Sequence, residues 1–196
     1  RALAEELDDD GDSITLKPKG IDKLIVETAR LLPEAKKRAY ANALSSRHVA
    51  ATRLKIEQAE KEVIFAATAA GAVAAVPIPF SDAVGLVPVQ VGMLAKIGIT
   101  FGMEISTTAL TTLVASTLGA GAATLIGRTL VTGLLKMIPG AGSVVGGTIA
   151  AATASALTKA LGSAYISVLS SFIEQNPDKE LDMTLIAAEL KKRISL

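Results

Sequence analysis

The chain has 196 residues, half of them hydrophobic, with no cysteine, no tryptophan and a formal net charge of +1. That is long enough to bury a core without covalent staples, and the missing thiols exclude disulfides and thiolate metal sites and suit a reducing compartment. The near-neutral balance and an aromatic content of 3% supply neither the basic field nor the stacking platform that nucleic-acid binding needs.

Residues 1–19 read as a short acidic helix or tail followed by a loop. Arg1 is not a natural start, so the chain reads as a fragment of something longer. No secretory leader is visible, because ALAEELDDDGDS is acidic where a leader is basic and then apolar. Asp8, Asp10 and Gly11 resemble a calcium loop, but Lys17 stands where that loop needs a bidentate glutamate. Ile21, Leu24, Ile25, Thr28 and Leu32 then form one helical stripe, and Pro33 marks a restart. From Glu34 the pattern stays helical for about forty residues, charged at first and wholly apolar after Glu62, a helix that starts wet and ends buried. His48, the sole histidine, shares a face with Tyr40, Leu44 and Ala51 and reads as structural, since one imidazole makes neither a metal site nor a triad.

Residues 63–103 read as a helical hairpin. Pro77 and Pro79 lack the amide donor and crowd the preceding turn, so they end its first arm, and Asp82 can cap the second. The second arm, 82–103, is expected to kink or start late near Pro88, and Glu104 to open the next segment. Gly119-Ala120-Gly121 divides that segment from a helix over 122–138, which stops at the turn Pro139-Gly140. A further Ala/Gly/Ser/Thr-rich helix runs over 143–172. Asn176-Pro177-Asp178 closes it, and a surface helix carries the stripe Met183, Ile186, Ala187, Leu190 and Ile194. With no convincing period-two strand, the expected fold is all-α: a compact bundle of about six to seven helices with Ala/Gly-rich central hairpins.

Between Val63 and Thr158 only Asp82, Lys96, Glu104, Arg128 and Lys136 are charged, and 13 of the 16 glycines lie there. Each helical glycine costs about 1 kcal/mol relative to alanine, which close backbone approach can offset. Gly98 with Gly102, and Gly142 with Gly146, have the G-x-x-x-G spacing for such contacts, within the chain or between two copies of it. GAATLIGRT at 121–129 has one residue too many between its glycines, and Arg128 for Lys, so it is not a phosphate loop. GAGSVVGG at 140–147 lacks the dinucleotide spacing. Asp82 and Glu104, the only acids of the apolar region, are explained as helix termini, so no catalytic, cofactor-binding or metal-binding residue is assigned.

The run AAVPIPFSDAVGLVPVQVGMLAKIG, with P-x-P-x-x-D-A at Pro77 to Ala83 and Pro88, Gln90 and Met93 beyond it, resembles a known pattern. So does LLKMIPGAGSVVGGTIAAATASALTKALGSAY, with its Pro139-Gly140 turn and an ending at Tyr165. Over roughly residues 60–170 the chain is similar to the all-helical domain of unknown function that follows the G domain in Era-like bacterial GTPases. The resemblance implies that GIDKLIVETARLLPEAKKRAY holds the last G-domain helix and the link leaving it. It divides the chain into a tail and G-domain remnant at 1–33 and a helical domain at 34–196 with its apolar core at 63–172. No phosphate loop and no N-K-x-D motif occur, so the chain alone is not expected to bind or hydrolyse GTP. The resemblance implies a cytoplasmic interaction or effector module with the parent G domain as partner; the exposed faces around Lys36, Lys37 and Arg38 are the expected contact surfaces. The alternative is a hairpin protein at the bacterial inner membrane, because the uncharged runs 63–81, 105–127 and 137–158 have bilayer-spanning length. Ala, Gly, Ser and Thr offer those runs little apolar area.

Overall fold

A computed structural model describes residues 4–7, 13–16, 20–45, 48–75, 81–114, 141–176 and 179–194; of 4–7, 13–16, 81–84, 141–146 and 194 it describes the backbone alone. Two antiparallel strands come first, β1 (Ala4–Leu7) and β2 (Ser13–Leu16), with Ala4 opposite Leu16 and Leu7 opposite Ser13. This corrects the expectation of an acidic helix or tail without strands. Ser13-Ile14-Thr15-Leu16 alternates polar with apolar and carries two β-branched residues, a short period-two signal that the neighbouring aspartates obscure. Every other described element is a helix, and the fold class is all-α.

Helix α1 (Ile21–Leu31) begins after Gly20, whose φ of +85° is left-handed, and ends where Pro33 forces Leu32 into extended backbone. Helix α2 (Glu34–Ala43) begins directly after that proline and stops at an extended Leu44. The long helix expected from Glu34 is therefore two, the second being α3 (Val49–Ala75). A capping bond explains the break: Ala50 N–H donates to Asp22 Oδ1 at 3.0 Å, so α1 supplies the cap for α3 and fixes where it starts. Helix α4 (Ser81–Phe101) runs through Pro88 without a late start. It ends in a Schellman motif in which Met103 N–H donates to Gly98 O (2.9 Å) and Gly102 N–H to Ile99 O (3.0 Å). Gly102 thus serves as the left-handed stop, φ +89°, and not as a backbone contact paired with Gly98.

Helix α5 covers 107–114. Its cap is Ser106, whose hydroxyl accepts from Ala109 N–H at 3.4 Å, so Glu104 lies in the connection and opens nothing. Helix α6 (Ala141–Gln175) ends at Asn176, whose side-chain amide donates to Phe172 O. Helix α7 (Met183–Ile194) is capped by Asp182; the amides of Leu185 and Thr184 donate to its carboxylate and hold its pKa below the ordinary value. Ile186 and Leu190 bury the expected stripe. The expected breaks at 119–121 and 139–140 and the helix over 122–138 lie outside the described residues, as does the packing around Gly142 and Gly146.

Helices α3 and α6 form the centre. A Cβ on Gly71 would stand 3.3 Å from Ala151 O, one on Gly147 3.2 Å from Ala75 O, and one on Gly162 2.5 Å from Val63 Cγ2. These pairings run in opposite directions along the two chains, so the helices are antiparallel, with Ala70, Ala74, Ala150 and Ala154 filling the space between them. Helix α4 lies alongside, its Gln90 amide donating to Thr158 Oγ1 of α6 at 3.2 Å. The larger core joins Val63, Leu94, Ile97, Phe101, Leu110, Val114, Leu161, Tyr165 and Leu169, and α7 closes it with Ile186 and Leu190. Tyr165 is fully buried, donates to Met103 Sδ at 3.4 Å, and has its pKa pushed up by burial.

Gly162→Val is expected to lower stability by about 1–3 kcal/mol, the cost of overpacking a filled contact. Gly92, with nothing within 4 Å of an added Cβ, is the control: Gly92→Ala is expected to gain about 0.5–1 kcal/mol. Urea unfolding monitored by circular dichroism measures both.

Candidate functional site

Helices α1, α2 and α3 enclose a recessed groove of about 740 Å³. It exists because Asp22 and Ile25 pin α1 onto the start of α3: Asp22 caps α3, and Ile25 packs in one cluster with Ala50 and Ala51, supported by Ile21, Tyr40 and Leu44. The floor is apolar, from Ile25, Ala29, Ala50 and Leu54, and Val26 and Val49 extend it to the surface at 54% and 67% exposure. The rim is cationic, from Lys23, Arg30, Lys37 and Arg53. Its two acids are engaged: Asp22 accepts from Ala50 N–H, and Glu57 pairs with Lys61 at 3.1 Å. Lys37 pairs with Glu34 at 3.0 Å and Arg30 reaches Glu27 at 4.0 Å. Lys23 and Arg53 have no ion-pair partner among the described residues.

A second polar feature lies on the opposite side of α3. Lys55, Gln58 and Glu62, spaced three and four apart, are all buried, although the sequence pattern makes this half of the helix the wet one. Glu62 binds Arg38 of α2 and, at 3.2 Å, Lys96 of α4; Lys96 in turn lies 5.4 Å from the ring centre of the exposed Phe65. The Arg38–Glu62 and Lys61–Glu34 pairs tie α2 to α3. Asn42 Oδ1 and Gln58 Nε2 have no hydrogen-bond partner. Lys55 is 2% exposed, and burial pushes its ammonium pKa below the ordinary 10.5. This seam positions α2 and α4 on α3.

The expected contact residues separate. Lys36 is exposed, Lys37 lines the groove, and Arg38 turns to the buried Glu62, so it is not free for a partner. Asp82 lies in the first turn of α4, with its side chain outside the described residues; Pro77, Pro79, Pro139 and Gly140 also lie outside them. His48 sits just before α3, its carbonyl accepting from Thr52 N–H at 3.0 Å. The groove escapes a reading of the sequence because its residues come from three helices. The one local signal is Val26 and Val49, apolar residues off every predicted stripe. Among the described residues no group of three or more His, Asp or Glu side chains is placed to hold a metal ion.

These features define an all-α, small-residue helical bundle with a recessed amphipathic groove beside its N-terminal helix. The chain belongs to the family described as a domain of unknown function, DUF697, which it matches over residues 39–193. The match begins within α2, so α1 and Lys37 of the groove precede it. No curated protein and no solved structure matches the chain.

The buried seam can be tested by substitution. Lys55→Met is expected to raise stability by at least about 1 kcal/mol at neutral pH, because an unpaired buried charge is lost. In the native chain the unfolded state binds the Lys55 proton more tightly, so stability rises with pH between the depressed folded pKa and 10.5. The advantage of the Met variant should shrink over that window in denaturation curves taken at several pH values. Glu62→Gln should cost about 1–3 kcal/mol, leaving two cations without their carboxylate, whereas Lys96→Met, which removes a half-exposed partner, should cost under about 1 kcal/mol. Parallel urea titrations compare the two.

Proposed function

We propose that the chain is a non-catalytic interaction or effector domain that works with an Era-like GTPase in the bacterial cytoplasm, through protein contacts. Its resemblance to the domain that follows the G domain in those proteins supports the GTPase link. The packing of α3 on α6 carries the choice of a self-contained module: the small-residue faces that could meet lipid are turned on each other. The apolar part of α3 covers residues 63–75 only, about 20 Å of helix at 1.5 Å per residue, short of a hydrocarbon core of about 30 Å. Helix α1 and the groove beside it suit contact with a partner.

One observation favours a membrane reading. Gly147–Gln175 is 29 residues long with a mean hydropathy of 1.3 over its best 18-residue window, enough by length and composition to cross a bilayer, and Ile149 and Ile99 are half exposed. Against it, 44% of that window is already buried inside the bundle.

Expression without detergent, then light scattering and flotation with vesicles containing anionic lipid, separates the two readings. A monodisperse species that stays with the soluble fraction is the expected outcome; recovery only in detergent or with vesicles overturns the soluble-module reading. Titration of the G domain of an Era-like GTPase carrying this domain, loaded with GDP or a GTP analogue, tests the partner. Absence of binding in both states removes the GTPase link.

A further inference from the structure

We infer that the groove between α1, α2 and α3 is a docking site for a short acidic amphipathic helix of a partner protein. The inference rests on the interaction-module reading and adds the surface and the partner's chemistry. Charge complementarity sets the sign: four cations and two acids line the groove, Lys37 and Arg30 are paired with Glu34 and Glu27 as Glu57 is with Lys61, and Lys23 and Arg53 are the lining charges with no ion-pair partner among the described residues. An acidic segment is steered to such a rim and held by it, with strong dependence on salt.

Shape chooses a peptide over a bilayer. A membrane-surface helix needs its apolar side chains to project beyond the charges so that they reach the acyl boundary. Here most of the apolar lining lies deeper than the charges, because Ile25, Ala50 and Leu54 are buried while Lys23, Arg30 and Arg53 are exposed, and only Val26 and Val49 bring apolar surface to the edge. A recessed apolar floor accepts apolar side chains brought to it by a helix, spaced i, i+3 or i+4 and i+7. The 11 residues of α1 form one wall about 16 Å long, which matches about three turns of a docked helix. Val26 and Val49, more than half exposed in the free chain, are the apolar surface such a helix would cover.

The test uses the full chain and a fluorescently labelled helical peptide of about 15 residues with leucines at the i, i+3, i+4 and i+7 spacing and glutamates elsewhere. Anisotropy titration should show saturable binding that weakens steeply with salt, and no binding of the same peptide with lysine in place of glutamate. Lys23→Glu combined with Arg53→Glu should weaken binding at least about tenfold, as reversal of close charge pairs does. Val26→Asp should weaken it with the charges intact, and Lys36→Glu, an exposed cation outside the groove, should change it little. Lys23, Arg53 and Val26 are exposed, so circular dichroism should show all variants folded. Equal binding of both peptides, or indifference to the groove variants, overturns the proposal. So does capture of the chain by anionic vesicles, or dimerisation by light scattering, that the same variants abolish, since lipid or a second copy would then be the occupant. Loss of the peptide result with G-domain binding retained overturns the groove alone and leaves the interaction module standing.

Discussion

The fold depends on how closely α3 and α6 approach. Their axes can come together only where side chains are no larger than alanine, and Gly71, Gly147 and Gly162 stand at the three places where a Cβ would meet carbonyl oxygen or a valine methyl at contact distance or less. Alanine and glycine give little transfer free energy each, because the hydrophobic term scales with apolar area at about 25 cal/mol per Å². The gain is in dispersion between closely spaced backbones, which requires that the small residues fall in register along both helices. Register is set by larger groups at the Val63 end of the contact. There Val63, Met93 and Gly162 interlock, and one turn further along α6 Tyr165, anchored by Met103 Sδ, shares with Ile105 the space that Gly98 leaves.

Such a core has little surplus, so the remaining elements are attached by specific polar contacts. Helix α2 is held by Glu62 through Arg38, α7 starts at Asp182 and is tied to α6 where Arg193 donates to Ser167 and Ser171, and α1 is held by Asp22 at the first turn of α3. Buried ion pairs add little net free energy, since desolvation offsets most of their attraction, while losing one partner is costly. Lys55 shows the cost plainly: it occupies the buried face of α3 with no charged partner among the described residues, and its depressed pKa is the signature of that burial.

Legibility in the sequence depends on range. Features decided within a few residues can be read: the stop at Pro33, the helical class of 81–101, the terminal stripe with Ile186 and Leu190, and an apolar middle packed on itself. Features decided across the chain cannot. Nothing near Ser45 says that α3 must wait for Asp22, 28 residues before Ala50, to supply its cap. The spacing of Lys55, Gln58 and Glu62 reads equally as a solvated or a buried face until α2 and α4 are placed against it. Gly98 and Gly102 share a motif spacing and have different work, because one faces Tyr165 and the other takes a left-handed φ. The groove is the least legible feature, since no single helix displays both its floor and its rim.

Asp22 also decides how the groove relates to the rest of the bundle. Its carboxylate satisfies an otherwise orphaned amide at the N-terminus of α3, an interaction of about 0.5–2 kcal/mol for a capping residue. The same carboxylate lines the groove and keeps its negative charge there, but one of its oxygens is committed to the amide of Ala50. Lys23 and Arg53 beside it make no ion pair among the described residues. Ile25, one turn further along α1, is buried against Ala50 and Ala51 and forms the floor in the same step. One helical turn therefore starts α3, seats α1 and leaves the groove both apolar at its base and positive at its edge. The surface most suited to a partner is thus a direct consequence of the contact that sets the beginning of the central helix.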